Sequence, residues 1–127
     1  MVSNDEAVAA IEYLSKYYGV PPPKKIIFGR VKTGLYVNSR ADAIFLRNNP
    51  PLSIVAHEFI HHYLHVTGQG KATEEEEHEF MWRHGLVDQA LDVLRESGIF
   101  HYSGVEPVAL GLILGSSIVL LTWILGR

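Results

Sequence analysis

A chain of 127 residues with 11 Lys plus Arg, 14 Asp plus Glu and a formal net charge of −3 offers one domain's worth of polypeptide. It has no basic run longer than Lys24-Lys25, so nucleic acid is excluded as an expected partner. The absence of cysteine excludes disulfides, thiolate metal sites and cysteine nucleophiles, and leaves His and carboxylate as the only strong metal ligands.

Ser3 with Glu6 three places on is a capping-box pattern, and Val8, Ile11, Leu14 and Tyr18 follow at helical spacing before Gly19 and three prolines. An amphipathic helix is predicted over 4–18. Asp5 and Glu6 stand where a secretory leader carries positive charge, so no such leader is expected. Residues 25–31 (KIIFGRV), 35–38 and 43–47 are short and rich in branched and aromatic side chains; they predict three strands of a small, mostly antiparallel sheet. The last of these strands is expected at the sheet edge, where Arg40, Asp42 and Arg47 would discourage aggregation.

The turn Asn48 to Pro51 (NNPP) precedes a second predicted helix over 52–66, with Ile54, Val55, Phe59 and Leu64 near one side and Thr67-Gly68 as its stop. Thr73 with Glu76 repeats the capping-box spacing, and the acidic residues that follow suit the positive end of a helix dipole. This third helix is predicted to run to about 96, with a break at Gly85.

Residues 108–125 (VALGLILGSSIVLLTWIL) are 18 positions without a charge, close to the roughly 20 that span a bilayer. Trp123 and Arg127 at the far end fit an interfacial anchor. The expected organisation is a domain over 1–98, a linker over 99–107 and a single C-terminal transmembrane helix over 108–125. That layout is a tail anchor in the membrane lipid bilayer, with the domain on the cytosolic side. Gly111 and Gly115 have the small-xxx-small spacing through which such helices pair, a route to a homo-oligomer.

The chemistry-bearing signal is His57-Glu58-Phe59-Ile60-His61, an HExxH spacing on the second helix. Four residues make about one turn, so both imidazoles leave the same face and can close on one ion. Zinc suits this set, since it takes nitrogen and oxygen ligands in a tetrahedron and leaves a position for water when the protein supplies three. Glu58 is then the catalytic general base. The other histidines, His62, His65, His78, His84 and His101, are read chiefly as surface or packing residues. His78 and His84, on the acidic helix, are the two placed to act behind the zinc ligands.

The segments GLYVNSRADAIFLRN, HEFIHH and TEEEEHEFM, lying between about 26 and 81, together resemble the minimal gluzincin metallopeptidases, which include small archaeal zinc peptidases and the ImmA/IrrE-like domains. The resemblance implies an α+β zincin-like domain of N-terminal helix, small sheet, HExxH helix and Glu-bearing helix. It also implies a Glu on the following helix as third zinc ligand, with an aromatic six places on; Phe80 as that aromatic selects Glu74. Here Glu77 stands where such relatives have a small residue, and His78 where they have Asn or Asp. An apolar stripe drawn through Phe80, Val87, Leu91 and Leu94 brings Glu77 closer to the core than Glu74, which makes Glu77 the rival ligand. The function expected is a membrane-anchored zinc metallopeptidase, a hydrolase that cleaves a peptide or protein substrate with Zn2+ as cofactor. The alternative is an inactive zinc-binding or structural interaction protein held at the membrane.

Overall fold

The computed structural model describes residues 1–29, 31–37 and 42–100. It is α+β, with four helices and one three-stranded sheet: α1 (Asn4–Tyr18), β1 (Lys25–Phe28), β2 (Gly34–Val37), β3 (Ala43–Leu46), α2 (Leu52–Val66), α3 (Glu74–Arg83) and α4 (Leu86–Arg95). Both capping boxes form. The Glu6 amide donates to Ser3 Oγ at 3.0 Å and the Ser3 amide to Glu6 Oε1 at 2.9 Å, while Thr73 and Glu76 make the same reciprocal pair at the start of α3. Gly85, at φ 62, supplies the left-handed turn that separates α3 from α4.

α2 is the central element. It packs against α1, α4, β2 and β3, burying Val55, Ala56, Phe59, Ile60 and Leu64. It has no side-chain cap and no acid in its first turn, so packing rather than local signals holds it in place. Ala7 and Ala10 of α1 and Ala90 of α4, all fully buried, let those helices lie close. The turn into α2 is tied to the start of α1: the Asn49 amide donates to Asn4 Oδ1 at 2.8 Å, Asn4 Nδ2 donates to Asn48 Oδ1 at 3.0 Å, and the Val2 amide donates to the Pro50 carbonyl at 2.9 Å.

The sheet corrects the mostly antiparallel expectation. Its order is β1-β3-β2, with β1 parallel and β2 antiparallel to β3. The strand over 43–46 is therefore central rather than an edge, and the edge beside the cleft is β2. The physical reason lies at the C-terminal end of β3. There the Gly29 amide donates to the Leu46 carbonyl at 2.8 Å and the Arg47 amide donates to the Thr33 carbonyl at 3.0 Å, so the end of β1 and the start of β2 flank the same strand. Ala43, Ile44 and Leu46 are all buried, as an inner strand requires.

Among the described residues no helix is long and apolar enough to cross a membrane. The expected span over 108–125, with Gly111 and Gly115, and most of the expected linker lie outside the described residues.

Gly34 sets how closely β2 approaches α2. A Cβ there would stand 2.7 Å from Ile54 Cγ2 and 2.9 Å from Glu58 Cγ, both closer than side-chain carbons tolerate. Gly34→Ala should therefore destabilise the chain by about 1–3 kcal/mol, the usual cost of overpacking, as read from a denaturant midpoint. An unchanged midpoint would show that β2 has room to move.

Candidate metal centre

His57 and His61, one turn apart, leave the same face of α2, and His78 reaches them from the second turn of α3. The three Nε2 atoms are mutually close: 3.2 Å for His57 and His61, 3.2 Å for His57 and His78, and 3.1 Å for His61 and His78. Nitrogens 2.0–2.1 Å from one tetrahedral ion stand about 3.3–3.4 Å apart. The three rings are thus close enough to hold one metal ion, and nearly at the separation an ion imposes. His61 is buried, whereas the His78 side chain is 45% exposed, so the cluster opens to solvent on the α3 side.

One tautomer is fixed by chemistry. His61 Nδ1 lies 2.5 Å from Glu77 Oε1. A carboxylate only accepts, so Nδ1 carries the hydrogen and Nε2 presents its lone pair to the cluster. Glu77 Oε2 also accepts from the Lys71 amide at 2.9 Å, which ties the α2–α3 connection to the same carboxylate. The sequence-expected rival ligand thus stands behind His61. Glu74, the first-named third ligand, places Oε2 3.6 Å from His78 Nε2, beside the cluster. His84 closes α3 and stacks on Phe80 with ring centroids 4.4 Å apart.

Glu58 is the most unusual group of the site. It is 5% exposed, and its carboxylate makes no hydrogen bond or ion pair among the described residues. Burial, and then the Glu74 carboxylate, push its pKa up to about 7. Burial, followed by His61 and His78, pushes His57 down to about 4, which keeps that imidazole neutral and able to bind a cation at neutral pH.

His62, next in sequence to His61, has the packing role expected of it. It is fully buried, donates from Nε2 to the Pro21 carbonyl at 2.7 Å, and sets Nδ1 3.2 Å from both the Tyr36 hydroxyl and Asp42 Oδ1. Tyr36 in turn donates to Asp42 at 3.0 Å. Burial and then this contact with Asp42 hold the Tyr36 phenol well above its usual range. The result is a polar strut fixing the rotation of α2 against β2. Tyr36 and Leu35 of β2, with His61, Glu74 and Glu77, line a cleft of about 350 Å³ beside the cluster. Sequence reasoning missed the strut because nothing local distinguishes Tyr36 from any strand tyrosine.

Comparison with protein-family models, with curated proteins and with solved structures finds no match. The site accordingly stands on its own geometry: a three-imidazole cluster that can hold a metal ion beside a buried carboxylate.

The linkage sign for Glu58 is definite. Its folded pKa lies above the unfolded 4.5, so the metal-free chain loses stability as pH rises from about 4.5 to about 7, a difference of roughly 3 kcal/mol. Glu58→Gln removes that charge. The metal-free variant should be more stable than wild type by about 2–3 kcal/mol at pH 8, and by less than about 1 kcal/mol at pH 5. A gain independent of pH would mean that Glu58 is not the desolvated group.

Proposed function

We propose that the chain is a zinc-dependent peptidase in which His57, His61 and His78 are the metal ligands and Glu58 is the general base. The observation that carries this reading is the pairing of a convergent imidazole trio with a buried carboxylate that has no partner among the described residues. A buried charge left unsatisfied costs several kcal/mol, and a reaction that uses it supplies a reason for keeping it. Carboxylate–imidazole support of a ligand, here Glu77 on His61, is the usual arrangement behind functional zinc.

The ligand set departs from the gluzincin resemblance, with an imidazole where those peptidases have a Glu. Zinc held there would polarise a peptide carbonyl and make water acidic enough to act as nucleophile near neutral pH. Glu58 takes the proton released on attack and delivers it to the departing amine. Among the described residues β2 pairs only with β3, so an extended substrate adds along its other edge through main-chain hydrogen bonds. Gly34, in contact with Glu58 Oε2 through the space its missing Cβ leaves, brings that edge to the base. The uncharged stretch over 108–125 is proposed to tether this domain to a membrane, which concentrates it on membrane-associated polypeptides.

Elemental analysis of the purified full chain tests the assignment. Wild type, Glu58→Gln and Glu74→Ala should each carry about one zinc, and His57→Ala and His78→Ala should lose most of it. Glu58→Gln should lower peptide cleavage by about 10²–10⁴-fold while keeping its metal. A wild type that binds no added zinc would overturn the peptidase reading. Zinc retained in His78→Ala but lost in Glu74→Ala would restore Glu74 as the third ligand.

A further inference from the structure

On the other side of the imidazole trio lies a second cavity, of about 270 Å³, which shares His57 and His78 with the metal cluster. Its remaining walls come from the α3–α4 corner. Met81, buried, and Val87 give it apolar sides; Trp82 and Asp88 complete it. Trp82 is 84% exposed, an unusual place for the largest apolar side chain unless its face serves a partner. Asp88 makes no ion pair or hydrogen bond among the described residues.

From this combination we propose that the cavity is a binding subsite for an arginine or lysine side chain of the polypeptide substrate, next to the bond being cleaved. The inference rests on the peptidase reading of the trio. An arginine uses every wall. Its methylene stem lies on Met81 and Val87, its planar guanidinium stacks on the Trp82 indole, and its charge meets the Asp88 carboxylate. A leucine or phenylalanine would use the apolar walls but would bring hydrocarbon against an unpartnered carboxylate, at a desolvation cost. No lysine or arginine lines the cavity. Asp88 is the one carboxylate among the residues that line the cavity, so it sets the charge preference of that wall.

The two tryptophans of the chain are Trp82 and Trp123, so a Trp123→Phe background makes Trp82 the sole indole reporter. In that background, zinc-loaded full-length Glu58→Gln would be titrated with acetylated alanine pentapeptides carrying Arg, Leu or Glu at the centre. The Arg peptide should change Trp82 emission and bind about 5–10-fold more tightly than the Leu peptide, the size of a partly exposed ion pair combined with a cation–π contact. Asp88→Asn should reduce that preference to within about twofold, and Asp88→Lys should transfer it to the Glu peptide. Both changes are at an exposed position in the first turn of α4, where losing the favourable charge on the helix dipole should cost no more than about 1 kcal/mol for Asp88→Asn, and the far-ultraviolet circular dichroism of each variant should match that of the parent. Equal or tighter binding of the Leu peptide, or an Arg preference that survives Asp88→Lys, would overturn the subsite. Cleavage of the same peptides by the protein with Glu58 in place is scored separately. Its absence would count against the peptidase reading, while the binding titration still decides the subsite.

Discussion

The structure depends on the burial of one face of α2. Val55, Ala56, Phe59, Ile60 and Leu64 sit at or near zero exposure between α1, α4 and the sheet, and no capping side chain or first-turn acid helps the helix form. Val55, Phe59, Ile60 and Leu64 each contribute on the order of 1.5–3 kcal/mol when fully buried, which fixes the rotation of the helix about its axis. Once that rotation is set, His57 and His61, one turn apart, leave the helix from one shared face. The His62 strut to Pro21, Tyr36 and Asp42 opposes any remaining twist from the side of β2.

That rotation also determines the electrostatics. Glu58 lies between the two ligand positions and is carried inward, against Gly34, where it cannot reach water freely. The fold thereby accepts a charge that weakens the metal-free chain at neutral pH. A cation on the imidazole trio would compensate that charge, since opposite charges in a poorly solvated site attract strongly. Binding and folding would in this sense be linked: Glu77 turns His61 Nε2 toward the cluster, and burial keeps His57 deprotonated at neutral pH.

Much of this is legible in the sequence. Helix 4–18 with its Ser3/Glu6 cap, helix 52–66, the Thr73/Glu76 cap and the break at Gly85 all form at the residues where cap and spacing signals stand, because those signals are local. The pairing of the strands is not local. Residues 25–28, 34–37 and 43–46 identify themselves as strands, yet which lies in the middle depends on contacts between distant segments. The one available hint was the uninterrupted apolar run AIFL of β3, characteristic of an inner strand. Sequence reasoning places His78 near the site but behind the zinc ligands, whereas its Nε2 joins the trio. Drawing the buried stripe of α3 through Phe80 turns Glu77 inward, and its side chain is 15% exposed against 69% for Glu74. What spacing could not show is that Glu77 meets His61 at Nδ1, which leaves the Nε2 side of the trio to His78, one residue further on.

The central claim is that three imidazoles, two from α2 and one from α3, form the first coordination sphere of one ion. X-ray absorption at the zinc edge of the loaded full-length protein tests it most directly. The account predicts three nitrogen scatterers at about 2.0–2.1 Å with the multiple-scattering pattern of imidazole, and loss of most of the bound zinc in His78→Ala. A sphere of two imidazoles and protein carboxylate, unchanged by His78→Ala, would contradict it.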